Sequence, residues 1–205
     1  EGFDLVPVQR KGIAVCLCPK ERLSGDLKAE HQRLKNIAKV LDDQYLLTQE
    51  PVVFVSFNGH PDLGDHPIHK EVASLLSPTT MFNFVEYDSN PFRVLQRMAT
   101  FKLAICMRLH AAVFCYLTRT PFIGLNYHQK CEQWSKQVGL SKRYSFDSQS
   151  FDPKVLMNEI CLGISDGFEP CDLSLNQAIN LSMENWRHCY ENTKQPHDFS
   201  CYSPL

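Results

Sequence analysis

Short apolar runs rich in β-branched and aromatic residues alternate along this chain with longer amphipathic stretches. The runs have the length of buried strands, and the stretches between them have the apolar spacing of helices. This alternation is typical of βα units, in which parallel strands form one sheet between layers of helices. It predicts a Rossmann-like α/β fold with a doubly wound parallel sheet. The predicted strands are 12–18, 51–57, 81–87, 103–106 and 121–125, and the predicted helices that follow them are 27–41, 68–76, 91–99, 109–117 and 131–139.

The last part of the chain has a different pattern. Residues 152–162 and 173–190 predict two helices separated by Pro170, no further strand is predicted, and residues 195–205 are polar. We therefore expect residues 1–150 to form the Rossmann-like lobe and residues 151–205 to form a helical C-terminal extension packed on it. With 205 residues, of which 43% are hydrophobic, the chain can bury the core of one lobe but is too short for two.

The charge balance and the distribution of apolar residues exclude two kinds of contact. The 21 Lys and Arg residues against 23 Asp and Glu give a net charge of −2, with no basic stripe that would neutralise a nucleic-acid backbone. No run approaches the roughly 18 consecutive apolar residues of a transmembrane helix. The first four residues lack the pattern of a signal peptide. We expect a cytoplasmic protein that binds no nucleic acid and has no membrane span.

The nine cysteines are an odd number, and several lie inside apolar runs. They predict small buried side chains in a reducing compartment. Cys16 and Cys18 alternate along a predicted strand and so share one face, which we interpret as packing. Cys171, Cys189 and Cys201 lie in more polar sequence, so the alternative that two of them form a disulfide stays open.

One segment combines a buried strand with charged residues at the start of a helix. Residues 102–117 predict a strand that passes into a helix at about Met107, with Arg108 and His110 near the helix start. Parallel sheets bind ligands beyond the carboxyl ends of their strands, where helix N-termini favour anions. Arg108 is a candidate for bidentate contact with phosphate or carboxylate, and His110 for proton donation or acceptance. Taken alone, an arginine and a histidine near a helix start are more often a surface ion-pair partner and a satisfied polar core residue.

A second polar window follows the second predicted strand. Residues 60–69 contain three histidines and two aspartates, which superficially resembles a metal site. The spacing matches no zinc pattern, and a loop that leads into a helix needs the same turn and cap residues. We interpret the window as a loop. Lys28 and Glu30, together with Glu21 and Arg22, indicate a solvated face.

The segment around Arg108 resembles a known family. Residues 107–111 (MRLHA), Phe114, residues 120–130 (TPFIGLNYHQK) and residues 137–140 (QVGL) are similar to the end of the C-terminal lobe of polysaccharide pyruvyl transferases. The match to this family extends more loosely over residues 12–140. It implies one lobe of a glycosyltransferase-B-like fold.

The resemblance implies transfer of a pyruvyl group from phosphoenolpyruvate to a sugar of a polysaccharide or glycan. Phosphoenolpyruvate presents a carboxylate and a phosphate, so its site needs cations as well as an acid and a base. On the family pattern, Arg108 holds the donor and His110 lies beside its phosphate as general acid. Tyr127 and Lys130 close one wall of the donor site. The loop after the second strand lies at the carboxyl end of that strand, which makes Asp62 or His60 a candidate for the sugar site. The scheme needs no metal or other cofactor.

Two departures from the family keep other readings open. Its enzymes have two lobes with the site between them, so a missing N-terminal lobe or a homo-oligomer is implied here. The arginine that often ends the first strand is absent, so its contact is either lost or supplied by Lys20 or Arg22. A glycosyltransferase-like lobe with a nucleotide-sugar donor and a non-catalytic binding or scaffold lobe are the alternatives. A guanidinium of Arg108 that is turned from every cleft, or held in a buried pair with an acidic residue, would overturn the proposal of anion binding.

Overall fold

The fold is built on one parallel sheet. The computed structural model describes residues 9–19 and 26–194, and six strands pair in parallel within them. The strands are β1 (Ile13–Cys16), β2 (Val52–Val55), β3 (Phe82–Val85), β4 (Leu103–Cys106), β5 (Phe122–Asn126) and β6 (Ser145–Asp147). Their order is β3-β2-β1-β4-β5-β6, which confirms the predicted doubly wound sheet.

Helices connect each strand to the next up to β5, and a 3₁₀ turn precedes β6. They are α1 (Leu27–Thr48), α2 (His66–Ser74), α3 (Pro91–Ala99), α4 (Leu109–Leu117) and α5 (Gln129–Gln137), with the 3₁₀ turn at Lys142–Tyr144. Two further helices follow β6, namely α6 (Pro153–Asp166) and α7 (Leu175–Lys194). The expectation of five strands is corrected to six, because β6 adds a short edge strand next to β5.

The three central strands are the most deeply buried part of the sheet. β1 pairs with β2 on one side and with β4 on the other, so Ile13 lies opposite both Val52 and Leu103. Every residue of β1 and β4 is buried, as expected for parallel strands covered by helices on both faces. The loops that follow β1, β2 and β4 therefore start from a rigid base.

Polar residues define where the helices near these loops begin. Asn90 caps α3 by accepting hydrogen bonds from the amides of Phe92 and Arg93, and Pro91 occupies the first turn, where its missing N–H costs nothing. Arg108 is the N-cap residue of α4 but makes no capping bond with its side chain. That side chain is therefore available for contacts elsewhere.

The described cysteines are mostly core residues. Cys16, Cys18, Cys106, Cys115 and Cys131 are buried and free, in agreement with the interpretation as small apolar side chains. Cys171 is also free, whereas the side chain of Cys189 and all of Cys201 lie outside the described residues.

The chain divides into two compact units, residues 1–172 and residues 173–205. In the first unit, α6 packs against α1. In the second, α7 is a helix of 20 residues with several exposed apolar side chains, among them Ile179 and Trp186. In the part of the chain that the structure describes, no helix combines the length and the apolar character of a transmembrane segment.

Candidate functional site

The site lies at the carboxyl ends of the central strands. The order of the strands reverses between β1 and β4, and an open α/β sheet has a crevice at such a switch point. Cys18 follows β1 there, and Arg108 follows β4. The amides of Met107 and Arg108 both donate to the carbonyl oxygen of Cys16, at 2.9 and 3.3 Å, so the backbone on the two sides of the crevice is joined.

The guanidinium of Arg108 is held by a buried carboxylate. Arg108 Nε lies 2.9 Å from Asp65 Oδ1, and Nη2 donates to the same oxygen. The other carboxylate oxygen, Oδ2, accepts from the backbone amides of Phe57 and Asn58 at 2.8 and 3.0 Å. Asp65 has no exposed surface, whereas 23% of the Arg108 side chain is exposed. The loop after β2 is therefore joined to the start of α4 across the end of β1.

The pair with Asp65 meets in part the condition that was expected to overturn anion binding, because Asp65 is fully buried while the Arg108 side chain keeps 23% of its surface exposed. It limits what Arg108 can do. Asp65 balances the charge of the guanidinium, so Arg108 does not present a free positive charge. A guanidinium has five N–H groups, and Asp65 uses one on Nε and one on Nη2. Three N–H groups, on Nη1 and Nη2, are left for other acceptors. Arg108 can thus orient an anion by hydrogen bonds while a second cation supplies net charge.

Electrostatics keep Arg108 charged. Burial alone would lower the pKa of its guanidinium, but the hydrogen bonds and the charge of Asp65 outweigh burial and raise that pKa above its ordinary value. The guanidinium of Arg108 therefore stays charged at any physiological pH.

Two neutral groups lie beside the pair. Burial raises the pKa of the Cys18 thiol to about 12, with the carboxylate of Asp65 acting in the same direction. Burial also raises the pKa of Tyr127 to about 12. The thiol and the phenol interact with each other and with Arg108. Near neutral pH both stay protonated, so they can donate hydrogen bonds but are not ready bases or nucleophiles.

His110 faces a different space. It is an exposed residue of the first turn of α4 and lines a cavity of about 170 Å³, together with residues that follow β2 and β3. Ser56, Phe57, Tyr87 and Asp88 are among those residues. The backbone amide of Phe57 is bound to Asp65, so this cavity and Arg108 adjoin through the same loop.

Lys130 and Asp62 are both exposed near the same edge of the sheet. Lys130 lies in the first turn of α5, where its amide donates to Nδ1 of the capping residue His128 at 3.1 Å. Its ammonium forms no ion pair within the described residues. Asp62 lies in the loop after β2, and its amide donates to His60 Nδ1 at 3.2 Å. The structure thus brings Arg108 and Tyr127 together, and it places His110, Lys130 and Asp62 on segments that follow β4, β5 and β2 at the same edge of the sheet.

The polar window 60–69 forms a loop and the start of α2. Across residues 9–19 and 26–194, no three His, Cys, Asp or Glu side chains are grouped to hold a metal ion. His60 accepts hydrogen bonds from two loop amides, and His69 is buried. The Nε2 atom of His69 accepts from the amide of Leu17 at 3.2 Å, next to Cys18. The window thus contains a buried histidine that binds the backbone just after β1, at the switch point of the sheet.

Sequence reasoning missed two buried ion-pair partners. Asp65 was interpreted as a loop or cap residue, because its position just before a predicted helix was the only signal that the sequence offered. Glu30 was assigned to a solvated face, but it is 8% exposed and pairs with Arg33, whose Nη1 lies 3.1 Å from Met107 Sδ. Lys28 is exposed as expected. Lys20, Glu21 and Arg22 lie outside the described residues.

Comparison with known proteins gives a family and a fold. The family model described as polysaccharide pyruvyl transferase matches residues 20–129. A solved structure of UDP-GlcNAc 2-epimerase from Methanocaldococcus jannaschii is similar with a TM-score of 0.56 and 13% identity, covering 89% of this chain and 48% of that one. The same organism's enzyme in complex with UDP-GlcNAc and UDP gives a TM-score of 0.54 and 14% identity over 87% and 46%.

The chain thus spans about half the length of these solved structures. At such low identity the similarity concerns the fold alone, and it confirms one lobe of a glycosyltransferase-B-like architecture. Comparison with curated proteins finds no match.

Proposed function

The chain belongs to the polysaccharide pyruvyl transferase family, a family of transferases, and from this premise we propose that it moves a pyruvyl group from phosphoenolpyruvate to a sugar of a polysaccharide or glycan. The observation that carries the proposal is the position of Arg108 at the switch point of the sheet. There Asp65 fixes the guanidinium and leaves three of its N–H groups for an anion.

The reaction sets the requirements for the site. When a ketal forms, two hydroxyl oxygens of the sugar add to C2 of phosphoenolpyruvate, the methylene carbon C3 gains one proton, and the C2–O bond to phosphate breaks. One hydroxyl proton is matched by the proton that reaches C3, and the other leaves with the phosphate. The site must therefore hold a carboxylate and a phosphate, deliver a proton to C3 and accept protons from the sugar.

We assign donor binding to Arg108 and Lys130. Arg108 is preorganised by Asp65, which lowers the entropic cost of using a long side chain for bidentate contact. Since Asp65 cancels its charge, the exposed ammonium of Lys130 supplies the net positive charge for the donor. The protonated phenol of Tyr127, beside Arg108, adds a hydrogen-bond donor to the same wall.

We assign proton transfer to His110. Its cavity adjoins Arg108 through the loop at Phe57, and its volume of about 170 Å³ suits a group much smaller than a nucleotide sugar. Imidazole is the side chain whose ordinary pKa allows both donation and acceptance of a proton near neutral pH. Asp62, exposed on the loop after β2, is assigned to the sugar side of the site.

Ligand-induced stabilisation tests the donor assignment. At a free concentration about one hundred times its Kd, phosphoenolpyruvate should raise the free energy of unfolding by about 2.7 kcal/mol, read as a higher Tm. Arg108→Lys keeps a cation for Asp65 but loses the planar fork, so we expect a much smaller shift. Lys130→Ala should also reduce the shift while leaving the Tm without ligand unchanged.

Lys39→Ala is the matched control, because Lys39 is an exposed helical lysine paired only with Asp43 on α1. It should leave the shift intact. Stabilisation by UDP-GlcNAc alone would show that the donor is a nucleotide sugar. If neither compound raises the Tm and the Arg108 and Lys130 variants are silent, the lobe binds no donor and the transferase proposal fails.

A further inference from the structure

A cavity of about 330 Å³ lies at the carboxyl ends of β5 and β6, apart from the cavity of His110. Asn126, the last residue of β5, and Ser145, the first of β6, form its floor, and residues of the first turn of α5 form one side. Its size is near the lower limit of about 300 Å³ for small-molecule sites, so one small ring compound fills it.

The charge of this cavity differs from that of the donor site. Glu132 and Asp147 both line it, and the lining residues of the described chain include no lysine or arginine. Two carboxylates repel a carboxylate or a phosphate at short range. A donor anion is therefore disfavoured here, and a neutral ligand is favoured.

The hydrogen-bonding groups of the cavity suit hydroxyl groups. Asn126 Nδ2 donates to Ser145 Oγ at 2.9 Å, which fixes the amide and leaves its carbonyl oxygen as an acceptor. The Ser145 hydroxyl, having accepted that bond, keeps its own proton to donate. Glu132 uses Oε1 for Lys136, and a carboxylate has a second oxygen that accepts. The lining thus offers both acceptors and a donor, which hydroxyl groups need because each of them donates and accepts.

Aromatic residues complete the cavity. Phe146 is partly buried against the core and lines the cavity, and Tyr127 lines it as well. Flat apolar rings beside fixed polar groups suit the C–H face of a pyranose. Tyr127 also interacts with Arg108, so the cavity and the donor site share this residue as a wall.

We propose that the cavity at the ends of β5 and β6 binds a neutral sugar ring, with Glu132, Asn126 and Ser145 contacting its hydroxyls. The cavity itself is inferred from its own chemistry, and the further step, that this ring is the acceptor of the pyruvyl group, rests on the proposed function. In that arrangement a hydroxyl pair at the Tyr127 side faces a donor held at Arg108. Asp62 lies on the loop after β2, three strands away from β5, so its assigned contact is to another sugar of the glycan and not to this ring.

Saturation-transfer NMR on the full chain tests the site, with the methyl pyranosides of glucose, galactose and mannose as probes. We expect at least one of them to receive saturation, and glucuronate to bind more weakly than the neutral sugars. Glu132→Ala removes an acceptor for a hydroxyl and should weaken sugar binding by about tenfold. Glu71→Ala is the matched control, since Glu71 is also helical, 51% exposed against 49% for Glu132, and paired with His31.

Equal binding by Glu132→Ala and the unaltered chain would overturn the proposal, as would no signal from any neutral sugar or stronger binding of glucuronate. The Tm shift caused by phosphoenolpyruvate should persist in Glu132→Ala, and its loss there would place the anion in this cavity and contradict the assignment. If neutral sugars bind and phosphoenolpyruvate never shifts the Tm, the sugar site stands and the pyruvyl transferase proposal fails.

Discussion

Asp65 is the residue on which the candidate site depends most. It is fully buried and accepts hydrogen bonds from the Arg108 side chain and from two backbone amides. An isolated buried carboxylate is strongly disfavoured, so the burial of Asp65 depends on these hydrogen-bond partners. The same bonds that satisfy Asp65 also fix the direction of Arg108, which couples stability to the geometry of the site.

Asp65→Asn should destabilise the fold by about 2–3 kcal/mol, less than a fully buried pair because Arg108 is partly exposed. The amide that replaces the carboxylate has one oxygen for donors on two sides, so its NH₂ group must face another donor. Urea unfolding measures the loss. Asp43→Asn breaks an exposed pair with Lys39 and should cost under about 1 kcal/mol. Equal effects of the two substitutions would show that the buried pair has no special weight.

His69 should make stability depend on pH. The pKa of its imidazole is lowered to about 3, mainly by burial, with the charges of His66 and Arg108 acting in the same direction. An unfolded histidine has a pKa of about 6.5, so the unfolded chain binds a proton below that pH that the folded chain excludes. The free energy of unfolding therefore falls as the pH drops from about 6.5 toward 3, by up to about 1.4 kcal/mol per pH unit for this group.

His69→Gln should reduce the slope of the free energy of unfolding against pH by the contribution of one titrating group. A glutamine oxygen can still accept from the amide of Leu17 but does not titrate. Urea unfolding at several pH values between 4 and 7 measures it, over a range set by the ordinary and lowered pKa values. Ser56→Ala removes the contact at His69 Nδ1, 3.5 Å away, and should change stability without changing the slope. A slope that survives in His69→Gln would assign the titration to other groups.

Among the elements, those whose ends are marked by a capping residue, a proline or an abrupt change from apolar to polar sequence were predicted to the residue. β4 and α4 occupy 103–106 and 109–117 as predicted, because a fully apolar run is followed directly by polar Arg108. α3 has the predicted bounds because Asn90 and Pro91 define its start. α1 continues past the predicted end at Leu41 to Thr48, since Tyr45 buries a further turn that the polar residues before it concealed.

β6 was missed for a physical reason. It has three residues and one large apolar side chain, Phe146, which is too little alternation to distinguish a strand from a loop. An edge strand needs partners on one side only, and β5 provides them. The cavity at the ends of β5 and β6 was therefore not predictable, although Tyr127, which lines it, was selected from the family pattern.

Gly163 shows how tertiary packing overrides helix propensity in α6. In an exposed helix, alanine is more stable than glycine by about 1 kcal/mol. A Cβ atom at Gly163 would lie 2.0 Å from the ring of Phe168, which contacts the core. Gly163→Ala should therefore destabilise the fold by about 1–3 kcal/mol. Thermal unfolding measures the loss. In the Phe168→Ala background, which lacks the ring, Gly163→Ala should be neutral or stabilising. A cost that persists in that background would point to a different cause.

At the scale of the whole molecule, the central strands are joined by one carboxylate at each end. Asp65 connects the segments after β2 and β4 at the carboxyl end, across the end of β1. Glu50 does the same at the amino end, where Oε2 accepts from the amide of Gly12 at 2.7 Å and Oε1 accepts from Lys102. The alternation of strands and helices predicted the polarity of the sheet. It predicted neither ion pair, because Asp65 and Arg108 are 43 positions apart in the sequence and only the strand order brings them together.

Because ligands of open α/β sheets bind at the carboxyl ends, the two carboxylates should differ in function although both support the fold. Burial would raise the pKa of Glu50, but Lys102 and the Gly12 amide outweigh it and lower that pKa, so the ionised form stabilises the fold at neutral pH. Glu50→Gln should cost about 1–2 kcal/mol, since Lys102 is partly exposed, and should leave the Tm shift caused by phosphoenolpyruvate unchanged. Asp65→Asn should reduce that shift as well as stability. Equal shifts in the two variants would mean that Asp65 supports the fold without positioning Arg108 for an anion.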